Sequence, residues 1–433
     1  MRLFYNVLFL IFFVLSSPYY FWRLWRRGNW QQGFAQRFGF YPQTFPSFKG
    51  ERLIWFHAVS VGEVNLCVQL IKQFIKERPE FRIVASTTTT TGMAELTKKL
   101  PPEITKVYYP IDWNRAVKKA LDTFRPEAIV LIEAEIWPNF LWEAQRRQIP
   151  LFLFNARLSR RSFGRYLKAG FIFRNIFSSF TTIGVQDKLD RQRLIALGAA
   201  PENIVLTGNL KFDGAPLTLD DKLDVPQMLT LLGVPSDAPV LVAGSTHAGE
   251  EVLLAEMALR LKAQFPNFFL ILVPRHFERC KALLPELKAT GIRFILRTEM
   301  PDGLPSHSGG VDCLLVNTTG ELRHFYGAAT LCFVGKSLTA KGGQNPIEPA
   351  ALSKPVLFGP NMQNFSSIVE SFLSHDAVIQ VADTNKLEQQ IVSLLTNPSR
   401  RNMLGAQAHE VVLQNQGGVE RSVQILCSHI KAK

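Results

Sequence analysis

From Glu51 onward, short apolar runs alternate with longer stretches whose apolar positions recur every three to four residues. The short runs are RLIWFH (52–57), RIVAS (82–86), KVYYP (106–110), AIVLIE (128–133), LFLFN (151–155) and TTIGVQ (181–186). Their length and β-branched or aromatic content predict strands, and the near absence of polar alternation predicts burial on both sheet faces. Segments such as NLCVQLIKQFIKERP between them have helical spacing. Strand–helix alternation of this kind predicts right-handed βαβ units and a parallel sheet.

GAPLTLDDKLDVPQ (214–227) breaks the pattern, being polar, acidic and proline-punctuated, and reads as a linker. A second series follows: PVLVAG (239–244), FFLILVP (268–274), RFILR (293–297), CLLVN (313–317), LCFVG (331–335), PVLFG (355–359) and AVIQV (377–381). The expected organisation is an α/β chain of two Rossmann-like domains. It comprises an N-terminal anchor and basic/aromatic flank (1–35), a first domain (36–213), a linker (214–236) and a second domain with a C-terminal helix (237–433), the helical segment from about Arg400 being a candidate to pack back across the domains. Two such domains are expected to face a cleft from the carboxyl ends of their sheets, where ligands bind in open α/β folds.

The anchor follows from the first residues. Leu3–Trp22 carries no charge and centres on VLFLIFFVL (7–15), long enough to cross a bilayer. Asn6, Ser16, Ser17 and Pro18 interrupt it, so spanning the bilayer and lying in one leaflet both stay open. A signal peptide would have a more basic start and a small-residue cleavage site. Trp22, Trp25 and Trp30 interleaved with Arg23, Arg26 and Arg27 suit a headgroup layer, and the positive-inside rule puts the basic flank and the domains after it on the cytoplasmic side.

Charge sharpens this. Residues 1–213 hold 30 Lys/Arg against 16 Asp/Glu, and the remainder 19 against 20, so the excess of +13 lies in the first half. Residues 144–186 contain eight basic residues, interleaved with aromatics, and no acid. Nucleic acid or an anionic membrane would suit such a surface; the apolar N-terminus decides for the membrane. Five scattered cysteines without a CxxC pair argue for reduced thiols and against a zinc site.

G-x-G-x-x-G, a P-loop, G-x-S-x-G and metal-spaced His/Asp/Glu are all missing from the sequence, which disfavours hydride transfer, P-loop chemistry, a nucleophile elbow and a metal centre. What remains is a set of motifs at strand ends. HAVSVGEV (57–64) places Glu63 where a helix should begin, a position that favours an anion whether or not it does chemistry. IEAEIWPN offers Glu133 and Glu135, of which only one should face the ligand if the strand continues; Asn155 and Arg157 of NARLS are candidates to tie the other down. Lys211 lies in TGNLKFDG. His57, His247 and His276 read as structural before catalytic. The second half carries GSTHAGEE (244–251), VPRHFER (273–279), NTTGEL (317–322), GGQNPIEPAA (342–351) and FGPNMQNF (358–365). Glycine-rich turns into helix N-termini offer N–H groups to phosphate, Arg275 is an anion partner, and Glu348 is placed to accept ribose hydroxyls.

HAVSVGE, IEAEIWPN, NARLS, TGNLKFD, STHAGEE, VPRH, TGEL and GGQNPIEPA occur in the order found in 3-deoxy-D-manno-octulosonic acid (Kdo) transferases, which the chain resembles essentially from end to end. The resemblance implies a GT-B glycosyltransferase fold that transfers Kdo from CMP-Kdo to the phosphorylated, acylated lipid A precursor (lipid IVA), inverting and metal-independent. It implies Glu63 as proton acceptor, and Glu133 and Lys211 as transition-state stabilisers. Contacts to CMP are implied for Pro274 and Arg275, for Thr319, Gly320 and Glu321, and for Asn345, Pro346, Ile347 and Glu348. Gln344 departs from the histidine that many members have there. Rival readings are a GT-B transferase or epimerase that uses a UDP-sugar, and a non-enzymatic module that only binds anionic lipid.

Overall fold

The computed structural model of the chain describes all residues except 1, 27–30, 43–44, 46–47, 134–135, 221, 301–309 and 431–433. Arg27, Trp30 and Glu135 therefore lie outside the described residues, as does the side chain of Arg23.

The chain forms two compact units, residues 1–214 with 415–433, and residues 215–414. The first is built on seven parallel strands: β1 (Leu53–His57), β2 (Arg82–Thr87), β3 (Thr105–Tyr108), β4 (Ala128–Ile132), β5 (Leu151–Ala156), β6 (Thr182–Val185) and β7 (Ile204–Leu206). Their order is β3-β2-β1-β4-β5-β6-β7, so the winding reverses between β1 and β4. Six of these strands match the predicted runs. The seventh, β7, was not expected: it has three residues, and Val205 and Leu206 are exposed at the sheet edge, so no apolar run announces it.

Alternate strand residues enter opposite cores. Leu53, Trp55, Ile129 and Leu131 pack on one face, and Ile54, Phe56, Val130 and Ile132 on the other, as the two-residue period of a strand requires. Trp55 is fully buried against Phe124 and Phe140, and its indole N–H donates to Ser86 Oγ at 2.7 Å.

The second unit repeats the plan with β8 (Val240–Thr246), β9 (Phe269–Pro274), β10 (Phe294–Leu296), β11 (Cys313–Leu315), β12 (Leu331–Val334), β13 (Val356–Phe358) and β14 (Ile379–Gln380). All are parallel, in the order β10-β11-β9-β8-β12-β13-β14, with the reversal between β8 and β12.

Two boundaries differ from the expected ones. The segment read as linker is structured from Val225, where a helix (Val225–Leu231) capped by Asp224 buries Val225, Met228 and Leu229 in the second unit's core. The last helix, Gly418–His429, which was placed with the second domain, belongs to the first. Val423 and Leu426 pack with Val64, Cys67 and Ile71 of the helix Val61–Glu77. Asp213, at the end of NLKFD, accepts from the backbone N–H groups of Gly417 (2.5 Å) and Val419 (2.7 Å), and Arg421 donates to the Thr207 carbonyl.

Candidate active site

In the first unit the loops after β1, β4 and β5 meet beside the point where the strand order reverses, the usual ligand position in a doubly wound sheet. Ser60 caps the helix Val61–Glu77: its hydroxyl oxygen accepts from the Glu63 N–H at 3.2 Å. Glu63 reaches back, accepting from Ser60 Oγ (2.7 Å) and from the Val59 N–H (2.9 Å). This reciprocal arrangement is close to a capping box. It orients the carboxylate, which is buried, with one local donor on each oxygen.

Glu133 follows the last residue of β4 and has φ of 60°, a left-handed conformation rare for a residue with a side chain. Asn155, at the end of β5, is likewise left-handed, with φ of 56°. The two distortions meet: Asn155 Nδ2 donates to Glu133 Oε1 at 3.3 Å, while Asn155 Oδ1 accepts from the Leu210 N–H at 3.1 Å. Next along the chain, Lys211 sets its ammonium 3.9 Å from Glu133 Oε1. Burial raises the Glu133 carboxyl above its ordinary range; Lys211 pulls it down, the Glu63 charge pushes it up, and Arg157 and the Asn155 bond pull it down. Glu63, Glu133, Asn155, Arg157 and Lys211 thus form one electrostatic group. Asn155 therefore bonds the candidate site carboxylate Glu133 itself, and not the carboxylate turned away from the ligand that it was expected to tie down.

His57 is not part of this chemistry. It is fully buried, stacked at 3.7 Å on Tyr109, and bonded through Nδ1 to Ser86; desolvation holds its imidazole down at about 3.

In the second unit the corresponding position is a clamp. Glu250 follows β8 at a helix start and is completely buried. Its carboxylate accepts four backbone N–H groups, from His247 (2.9 Å), Lys336 (2.7 Å), Ser337 (2.8 Å) and Leu338 (2.9 Å). The loop after β12 is thereby tied to the loop after β8. Gly335 permits that approach, since a Cβ there would lie 2.5 Å from Thr246 Cα. Glu251, equally buried, accepts from Thr246 Oγ1 and Arg279 Nη1, both at 3.0 Å. None of Glu250, Glu251 and Arg279 was singled out from sequence, where STHAGEE and VPRHFER showed only that acids and bases stand at strand ends.

The residues expected to contact CMP lie on the loops after β9, β11 and β12. Pro274 ends β9, and the N–H of Arg275, whose side chain is exposed, donates to the Thr246 carbonyl at 3.0 Å. Thr319 and Gly320 form an exposed turn. Glu321 is bonded to Arg297 at 3.2 Å and to the Thr318 hydroxyl, so it braces this turn. Gly342 and Gly343, with φ of 122° and 72°, lead into Gln344, Asn345 and a short helix, Ile347–Ala351, behind the buried Pro346. Asn345 Oδ1 accepts from the Ile347 N–H at 3.1 Å, and its Nδ2 donates to Glu348 Oε1 at 3.3 Å. Burial raises the Glu348 carboxyl; the Asn345 bond and the Arg323 and Arg275 charges act against it. Arg275, Asn345 and Glu348 therefore belong to one neighbourhood, and Arg323 joins them without having been expected. Among the described residues no three His, Cys, Asp or Glu side chains are grouped to hold a metal.

Residues 32–214 match the family profile described as 3-deoxy-D-manno-octulosonic-acid transferase (kdotransferase). The chain is 32% identical over 407 residues to the 3-deoxy-D-manno-octulosonic acid transferase of Haemophilus influenzae, covering 93% of this chain and 92% of that protein. It is 31% identical over 396 residues to the transferase of the same name from Chlamydophila psittaci, covering 91% and 88%. Among solved structures, a UDP-GlcNAc 2-epimerase from Neisseria meningitidis aligns with a TM-score of 0.58 at 13% identity, over 87% of this chain and 100% of that one. A glycosyltransferase from Rickettsia africae aligns at 0.55 and 12%, over 89% and 100%. At such identity these two speak for the fold alone, an α/β fold of the GT-B kind.

Proposed function

The chain belongs to the 3-deoxy-D-manno-octulosonic acid transferase family and is a glycosyltransferase of lipopolysaccharide synthesis; from that premise we propose that it moves Kdo from CMP-Kdo to lipid IVA by a single inverting displacement. The observation that carries the mechanism is the convergence of Glu63, Glu133 and Lys211 in one electrostatic group at the switch point of the first sheet.

Glu63 takes the proton of the attacking acceptor hydroxyl. The Ser60 and Val59 bonds fix its carboxylate and occupy one acceptor site on each oxygen, so each oxygen keeps lone-pair capacity for a hydroxyl. Lys211 is a compact cation beside a carboxylate and is suited to the Kdo carboxylate or the departing phosphate. Glu133 stabilises positive charge as it develops on the sugar ring, with Asn155 holding it in place.

In the second unit Arg275 neutralises the single phosphate of CMP, while Glu348, positioned by Asn345, accepts from ribose hydroxyls. Pro274, Thr319, Gly320, Glu321, Pro346 and Ile347 shape the loops around the nucleotide. Charge stabilisation by arginine, lysine and backbone N–H groups makes a metal unnecessary to this reaction. The basic first half holds the phosphates of the lipid acceptor, on the cytoplasmic face of the inner membrane. The division of labour is an acceptor-binding first unit and a CMP-Kdo-binding second unit.

The test is a mass-resolved transfer assay with CMP-Kdo and tetra-acylated lipid A precursor, in EDTA, beside thermal unfolding with CMP or UDP. Product heavier by whole Kdo residues, with stabilisation by CMP and not UDP, is expected. A folded, CMP-stabilised protein that transfers nothing would show the acceptor to be wrong, and stabilisation by UDP alone would show the donor to be wrong.

A further inference from the structure

The apolar N-terminal helix, Arg2–Arg26, lies against the first unit through one stripe of its surface. Arg2, Tyr5, Asn6, Phe9, Phe13, Ser16 and Ser17 are its partly covered residues, and their spacing of three and four places them on a single face. The polar residues that interrupt the apolar segment, Asn6, Ser16 and Ser17, all fall on that stripe. Arg2 donates to Asn114 Oδ1 (2.9 Å) and Glu143 Oε2 (3.3 Å). Tyr5 donates its hydroxyl to Asp112 Oδ2 at 2.7 Å, and Asn6 Oδ1 accepts from Asn139 Nδ2 at 2.7 Å. Asp112 is itself fixed, accepting from the Asn139 and Phe140 N–H groups that open the helix Pro138–Arg146. Farther along, Phe13 and Ser17 border a cavity of about 400 Å³ whose other wall includes Tyr109, Ile111 and Trp137.

The opposite face is bare hydrocarbon. Phe4, Ile11, Leu15 and Trp22 are all at least half exposed, Leu15 at 76%. At its start this face continues onto the globular unit, where Phe4 meets the exposed Phe171 with ring centroids 6.2 Å apart. Near Phe171 along the chain are the exposed cations Arg165, Lys168 and Arg174, in a stretch without any acid.

From Arg2 to Ser17 the helix advances about 22 Å, and the globular unit accompanies it throughout. A helix crossing the bilayer with these contacts would take Asp112, Asn114 and Glu143 into hydrocarbon, where polar and charged groups are strongly disfavoured. We propose instead that the helix lies in the plane of one leaflet as a monotopic anchor: its polar stripe is latched to the first unit, its apolar face is immersed, and the flanking cations rest on anionic headgroups. This rests on the reading that the enzyme works at a membrane.

Single cysteines replacing Phe4, Ile11, Leu15 and Trp22, in full-length protein carrying Cys427→Ser, would be labelled with bimane. Their depth would be read by quenching with nitroxide phospholipids in phosphatidylethanolamine–phosphatidylglycerol vesicles. An in-plane helix places all four at one shallow depth. A spanning helix places Phe4 and Trp22 about 27 Å apart along its axis, with Ile11 and Leu15 deepest, and that profile would overturn the proposal. Absence of quenching at all four sites would instead overturn the membrane reading beneath it.

Discussion

Each unit's first strand is followed by a small-residue loop and a glutamate in the first turn of a helix, yet the two glutamates are put to different ends. Glu63, after β1, has one local donor on each oxygen and shares its surroundings with a lysine and a second carboxylate. Glu250, after β8, is buried to the last atom and surrounded by four backbone donors. A carboxylate whose acceptor sites are filled by the protein is structural. One held by two bonds, with sites to spare beside other charges, is available to a substrate. On the proposed mechanism, the same topological position serves chemistry in one unit and loop architecture in the other.

Isosteric replacement sharpens the contrast most. Glu63→Gln keeps a capping residue, since glutamine serves the same reciprocal cap, but removes the proposed base. Turnover is expected to fall by 10²–10⁴, on the order of 3–5 kcal/mol in the barrier, with the unfolding midpoint within about 1 kcal/mol of wild type. Glu250→Gln should behave in reverse. An amide N–H₂ would face two backbone N–H donors in a buried site, and denaturant unfolding is expected to show a loss of about 3–5 kcal/mol.

A smaller effect separates His57 from the group of Glu63, Glu133 and Lys211. Its pKa lies at about 3 in the fold because burial disfavours the cation, against about 6.5 in the unfolded chain. Its contribution to stability is therefore complete above pH 6.5 and is lost as pH falls. Between pH 7 and 5 the loss is about 2 kcal/mol. Asp112 and Asp190, pushed up to about 6 chiefly by burial, act in the opposite sense. The His57 effect is thus read as a difference: wild type should lose about 2 kcal/mol more than His57→Gln over that interval. Equal pH profiles would show that His57 is not held neutral.

Least in magnitude is Asp213→Ala, which removes the cap of the returning helix. Global stability should fall by about 1 kcal/mol, with faster amide exchange confined to Gly418–His429. Unchanged exchange there would mean that Val423 and Leu426 alone hold the helix.

The sheets were legible because parallel strands covered on both faces read as unbroken apolar runs. β7 was not, being three residues long at an exposed edge. The motifs at strand ends were legible as well, since glycine, proline and isolated charges stand out after such runs. What each charge does was not, because that depends on how many donors converge from loops distant in sequence. Lys336, Ser337 and Leu338 come to Glu250 from more than eighty residues away. The return of the last helix is set by Asp213 and Arg421 across some two hundred residues. Likewise, Asn6, Ser16 and Ser17 look like flaws in a membrane span when read along the chain, and become one docking face once wound into a helix.

The most direct measurement is product formation by Glu63→Gln and wild type, side by side with their thermal unfolding, using CMP-Kdo and tetra-acylated lipid A precursor. A variant that unfolds with wild type and forms less than about one hundredth of its product is the expected result. Product at the wild-type rate would make Glu63, like Glu250, a residue of the fold alone.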